Sequence, residues 1–190
     1  MEGNVMNCFC RVSFCIALLG VAANLASADD RTIAVSGGKL TLTAPEKWER
    51  QKPSSNIVEH EFSVPASDGD ENPGRITVMG AGGSVQANVD RWIGQFTQPD
   101  GSNTKDRAKD KTIKVGGREV HIIDISGTYK DQRGPFSQAP AVEREKYRML
   151  AAIITDKQLG NYFVKFYGPQ QTVADHEKAF MSMIDSLKAK

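Results

Sequence analysis

The chain predicts an α+β domain built around an antiparallel sheet, and three observations carry that prediction. Several segments place apolar residues at every second position between Gly- and Pro-rich turns, as half-buried strands require. Apolar residues recur at helical spacing in residues 85–96 and 173–187. The resulting order of strands, helix, strands, helix lacks the regular β–α alternation of a parallel sheet.

Residues 1–28 read as a secretory signal. Arg11, the apolar run from Val12 to Ala23 and the small residues Ala26-Ser27-Ala28 ahead of Asp29-Asp30 follow the charge, core and cleavage-site order of such a segment. Residues 29–190 are then expected to form one domain working outside the cytoplasm, in a periplasm or the extracellular space. All three cysteines, Cys8, Cys10 and Cys15, fall inside the signal, so the mature chain has no thiol for disulfides, nucleophilic attack or metal ligation. Cys15 follows Phe14 within the apolar run, which does not suit a lipoprotein cleavage point. A domain of this size buries roughly 70% of its unfolded surface, enough for a core without covalent staples. The charge is nearly balanced, 24 Lys+Arg against 23 Asp+Glu, with both signs interspersed. That balance argues against nucleic acid or an anionic membrane as the main partner. No segment after the signal approaches the roughly 20 apolar residues of a transmembrane helix.

Along the mature chain, Ile33 and Val35 alternate before Ser36-Gly37-Gly38, and Leu40 and Leu42 alternate after it, which predicts a hairpin ended by Pro45. Trp48 is expected in a polar bend. Val58, His60, Phe62 and Val64 share one face of the next strand, with Glu59, Glu61 and Ser63 on the other. A further strand at Arg75–Met79 is closed by Gly80, Gly82 and Gly83. Ser84 suits an N-cap, and Val85, Val89, Trp92, Ile93 and Phe96 form the apolar stripe of a first helix. Residues 98–111 read as an exposed loop, Thr112–Val115 and Glu119–Tyr129 as a hairpin around Gly116-Gly117, and Lys130–Lys146 as a long excursion. Strands at Tyr147–Thr155 and Asn161–Tyr167 follow. Thr172 and Asp175 resemble a capping box for a last helix carrying Val173, Phe180, Ile184 and Leu187, with Lys188 and Lys190 at its C-terminal dipole.

Chemistry is sparser. Gly82, Gly83 and Ser84 at a helix start offer free amide donors to an anion, or simply make a tight strand-to-helix turn; no P-loop lysine follows them. His60, His121 and His176 are the only imidazoles, and each sits on an apolar face as a packed histidine would. A metal-dependent hydrolase would need His60 and His121 to converge with a carboxylate such as Asp124, although alternation points Asp124 away from His121. No Gly-x-Ser-x-Gly elbow is present. Trp48, Phe136, Tyr147 and Tyr167 lie in or beside the loops, where rings line ligand or partner sites.

Three blocks of residues resemble the PsbP-like, or Mog1-like, domain superfamily. They are Gly74-Arg75-Ile76-Thr77-Val78 leading to Asn88-Val89-Asp90-Arg91-Trp92-Ile93-Gly94-Gln95-Phe96, then Tyr147-Arg148-Met149-Leu150-Ala151-Ala152-Ile153-Ile154, and Tyr162-Phe163-Val164-Lys165-Phe166-Tyr167-Gly168-Pro169. The resemblance spans residues 39–188 and rests on core positions and turn glycines. It implies an α/β/α sandwich with a central antiparallel sheet and non-catalytic work. Named members serve as photosystem accessory subunits or as a partner of a small GTPase, and the nearest resemblance is to secreted bacterial relatives. No residue here matches those that carry either named function.

The sequence thus points to an exported, non-catalytic binding or accessory module without a cofactor, whose partner is a protein or small ligand. Its expected contact residues are Gly82, Gly83, Ser84, Arg133, Phe136 and Tyr147. The alternative is a hydrolase with a metal at His60 and His121.

Overall fold

The computed structural model describes residues 31–132 and 140–189 together with Met1. The rest of the predicted signal, and the expected contact residues Arg133 and Phe136, lie outside the described residues. The first elements are β1 (Thr32–Val35) and β2 (Leu40–Thr43), the expected hairpin, followed by β3 (Glu49–Gln51), β4 (His60–Val64) and β5 (Gly74–Ala81). Helix α1 (Val85–Ile93) leads to β6 (Phe96–Thr97), the single-turn α2 (Thr104–Arg107), β7 (Lys109–Val115) and β8 (Arg118–Asp131). The chain ends with β9 (Val142–Asp156), β10 (Gly160–Pro169), α3 (Gln170–Asp185) and β11 (Lys188–Ala189).

Every recorded strand pairing is antiparallel. A three-stranded sheet runs β1-β2-β11, and an eight-stranded sheet runs β3-β4-β5-β10-β9-β8-β6 with β7 also paired to β8. The two strands at the centre of the large sheet are buried on both faces, which explains the unbroken apolar run Met149–Ile154 in β9. Period-2 geometry sorts that run into two cores. Leu150, Ala152 and Ile154 join Val164, Phe166 and the α3 residues Val173, Phe180 and Ile184, together with the β1–β2 hairpin. Met149, Ala151 and Ile153 join Phe163 and the α1 residues Val89 and Trp92. Trp92 meets Phe163 edge-on with ring centroids 5.1 Å apart, an arrangement worth about 1 kcal/mol beyond its buried area.

Ser84 caps α1 as expected, accepting a hydrogen bond from the Ala87 amide at 3.2 Å. The last helix differs from expectation. It starts at Gln170, and its cap residue Pro169 has no side chain to accept a bond. Asp70, brought in by the β4–β5 loop, supplies the cap instead, accepting from the Thr172 amide at 2.9 Å and the Thr172 hydroxyl at 2.6 Å. Thr172, fully buried, is the third residue of the helix and not the N-cap that local sequence suggests. Lys188 is not at a helix C-terminus; it pairs with Thr41 in β11. The expected excursion at Lys130–Lys146 shrinks, because cross-strand pairing of Lys130 with Glu143 and of Asp131 with Val142 extends β8 and β9 into it. Part of the expected loop 98–111 is α2 and the start of β7. Trp48 is buried and accompanied by β3, a polar strand with no apolar period to announce it.

Candidate functional site

Helix α1 has nine residues and so spans only about 13 Å. It covers the Ile153 and Phe163 end of its sheet face and leaves the other end open. On the open part, strand alternation presents Lys165 and Tyr167 from β10, Thr77 and Arg75 opposite them on β5, Glu61 from β4 and Tyr147 from β9. Two adjoining clefts of about 430 Å³ and 490 Å³ lie there and share Glu61, Arg75, Asp131 and Tyr167. The first also takes in Arg144 and Tyr147. The second takes in Ser54, Ile57, Val58 and Lys165.

Arg75 organises the shared wall. Its Nε donates to Glu61 Oε1 at 2.7 Å and its Nη2 to Glu61 Oε2 at 3.0 Å, the two-pronged geometry that suits guanidinium and carboxylate. Nη1 donates to the Tyr167 hydroxyl and Nη2 to the Ser54 hydroxyl. The Ser54 amide completes the network on Glu61 Oε2 at 2.9 Å. Hydrogen bonding from Arg75 outweighs the burial of Glu61 and holds its carboxyl below the usual carboxylate range. Glu61 is therefore a charged anchor and a weak base. Burial lifts the Tyr129 and Tyr167 phenols above their usual range, so both stay protonated; Arg75 partly opposes the effect at Tyr167.

Lys165 is half-buried on the cleft floor. Its Nζ lies 5.4 Å from the Trp92 ring centroid and 5.6 Å from that of Tyr167, within cation–π range. Gln95 Oε1 is 3.5 Å away, a long contact. Burial, reinforced by the nearby charges of Arg91 and Arg75, pushes the ammonium down to about 8. Around it the aromatic wall is continuous: Tyr129 stacks on Tyr147 at 6.2 Å and tilts against Tyr167 at 5.4 Å.

The structure brings Tyr147 and Tyr167 together here and places Gly82, Gly83 and Ser84 elsewhere. Gly82, Gly83 and Ser84 follow the far end of β5, about 20 Å from Arg75 along the strand. There the tight-turn reading accounts for the geometry. Gly83 takes φ +87, Asn88 Nδ2 donates to the Gly82 and Ser84 carbonyls at 3.1 and 2.9 Å, and Asn161 Nδ2 donates to the Gly83 carbonyl at 3.1 Å.

The joint metal reading of His60 and His121 is corrected by topology. Three strands lie between β4 and β8, placing the imidazoles roughly 19 Å apart, and their registers put them on opposite sheet faces. His60 is held by Arg50 Nη1 and the Ala34 carbonyl, each at 2.9 Å. His121 is held by Thr112 and Glu119. Asp124 receives both prongs of Arg148 at 2.8 and 2.9 Å. Trp48 packs in the opposite core, where its indole N–H donates to His176 Nδ1 at 3.3 Å.

Sequence reasoning does not single out Arg75 and Lys165, and it reads Glu61 with Glu59 as a carboxylate pair on an exposed strand face, whereas Glu61 is buried. A signal existed for Lys165: it is a lone charge between Phe163 and Tyr167 on a strand face that must be buried.

No protein-family model matches the chain, and no curated protein matches its sequence. Solved structures do match. The solution structure of cyanobacterial PsbP (CyanoP) from Synechocystis superposes with a TM-score of 0.50 at 10% identity, covering 90% of this chain and 99% of its own. The chain has a PsbP-like fold. LpqN of Mycobacterium tuberculosis, described as involved in cell envelope biogenesis, is similar with a TM-score of 0.47 at 12% identity, covering 83% of this chain and 88% of its own. The Ran-binding protein Mog1p of Saccharomyces cerevisiae is similar with a TM-score of 0.48 at 11% identity, covering 83% and 94%. No helix among the described residues is long and apolar enough to cross a membrane.

Proposed function

We propose that this protein is an exported, non-catalytic module of one domain, residues 29–190, that binds a small ligand in the cleft left open by α1. The observation that supports it best is the prearranged wall: Arg75, Glu61, Tyr167 and Ser54 fix one another's positions by hydrogen bonds before any ligand arrives. Preorganisation of this kind lowers the entropy lost on binding. Acid–base chemistry is disfavoured at the shared wall, because Glu61 stays ionised and the phenols stay protonated near neutrality. Placement of α3 and α1 in separate cores supports reading the layers as an α/β/α sandwich. Export is supported by the charge, apolar and small-residue order of the first 28 residues.

Amide NMR of the mature protein against a small-fragment mixture tests the site. Perturbations should concentrate at residues 61, 75, 147, 165 and 167; shifts elsewhere, or none at these positions, overturn the reading. Mass analysis of the exported protein tests the location, with Asp29 expected as its first residue; a full-length cytoplasmic species would refute export.

A further inference from the structure

We propose that the second cleft takes a small organic monocarboxylate with an apolar body, its carboxylate meeting the Lys165 ammonium. The inference rests on the binding reading above and adds the chemistry of the ligand. Charge pairing carries it. Of the carboxylates lining the two clefts, Glu61 is committed to Arg75 at 2.7 and 3.0 Å, and Asp131 to Arg144 Nε at 2.8 Å. Those pairs cancel, leaving one cation over, Lys165, with no carboxylate within salt-bridge distance among the described residues.

Donor capacity points the same way. Arg75 directs its guanidinium to Glu61, Tyr167 and Ser54, so little of it remains for a ligand. The ammonium has three N–H bonds, and among the described residues its one polar contact is the 3.5 Å approach to Gln95. The rings of Trp92 and Tyr167 satisfy a cation by charge and leave its directional hydrogen bonds unfilled. A carboxylate would fill them and neutralise the site. One ammonium matches a single negative charge, which favours a monoanion over a phosphate dianion. Ile57, Val58 and Met79 line the same 490 Å³ cleft, and Ile57 is one of the exposed large hydrophobics of the chain at 66% exposure. They suit an apolar body attached to the anion, in a volume typical of small-molecule sites.

Titration calorimetry with 4-phenylbutyrate and with its neutral amide at pH 7 tests this. Wild type should bind the carboxylate at least about tenfold more tightly than the amide, the equivalent of one charge-assisted contact. Lys165→Met should bind both alike, and Lys165→Arg should restore the preference, with amide NMR spectra establishing that both variants are folded. Equal binding of the two probes by wild type overturns the carboxylate inference and leaves the cleft standing. Failure of both probes to bind also overturns it, while the fragment NMR above decides the cleft itself.

Discussion

Replacing Lys165 by Met removes the ammonium while keeping a straight apolar stem of similar length, so the variant isolates what the charge does to folding. Lowering a lysine from 10.5 to about 8 corresponds to about 3 kcal/mol of destabilisation of the charged form in the folded state. Lost contacts with the Trp92 and Tyr167 rings return about 1 kcal/mol of that. At pH 7 Lys165→Met should therefore be more stable than wild type by about 2 kcal/mol. The sign follows from proton binding: between pH 8 and 10.5 the unfolded chain holds a proton at Lys165 that the folded chain lacks, so wild-type stability rises with pH across that window. The penalty is complete below pH 8 and gone above 10.5. By pH 10 the advantage of the variant should shrink by about 2.5 kcal/mol and vanish or reverse. Urea denaturation of both proteins at pH 7, 9 and 10 reads this directly. A pH-independent difference, or a variant less stable at pH 7, would refute the claim that the ammonium is desolvated.

Asp70→Ala should lower stability by about 1 kcal/mol in urea melts by uncapping α3, and Asp70→Asn by less, since an amide oxygen still accepts and only the favourable charge–dipole contact is lost. Glu61→Gln should cost about 1 kcal/mol at pH 7, well under the value for a fully buried pair because the Arg75 side chain is 37% exposed. The Glu61 contribution is present above 4.5 and lost as pH falls through the lowered folded value, so wild type and Glu61→Gln should converge in melts taken below that point; a constant gap would contradict it. Gly74→Ala should cost about 1–3 kcal/mol in thermal melts, because its Cβ would sit 2.6 Å from Phe166 Cε2 and 3.3 Å from Val64 Cβ; an unchanged Tm would show that the strands can shift.

How much of this was legible in the sequence depended on the range of the interaction involved. The β1–β2 hairpin, the Ser84 cap and the stripe of α1 from Val85 to Ile93 are local patterns of period 2 or 3.6 with a turn or cap residue at the correct offset, and they formed as written; Phe96, expected on the same stripe, instead lies past the helix in β6, paired with β8. The cap of α3 was misplaced because its acceptor is Asp70, about a hundred residues from Thr172 in sequence and invisible to a three-residue rule. β3 escaped notice because Glu49, Arg50 and Gln51 carry no apolar period; the backbone of β4 defines that strand. The cleft was half legible. Tyr147 and Tyr167 stood out as rings near loops, whereas Arg75 and Glu61 become a pair only through the β4–β5 register, and alternation alone leaves their faces unassigned. His60 and His121 illustrate the converse: two residues on adjacent-looking patterns end four strand intervals apart once strand order is known.

The brevity of α1 sets how much of its sheet face stays uncovered. The helix stops at Ile93, and Phe96 and Thr97 immediately pair with β8, so the length of covered sheet is set by a few residues that touch no part of the cleft wall built by Arg75 and Glu61. One extra helical turn would lengthen the covering helix by about 5 Å. The wall of Arg75 and Glu61 and the covering edge of α1 are thus built by separate stretches of chain that meet at Lys165, which touches Trp92 of α1 and Gln95 just beyond it.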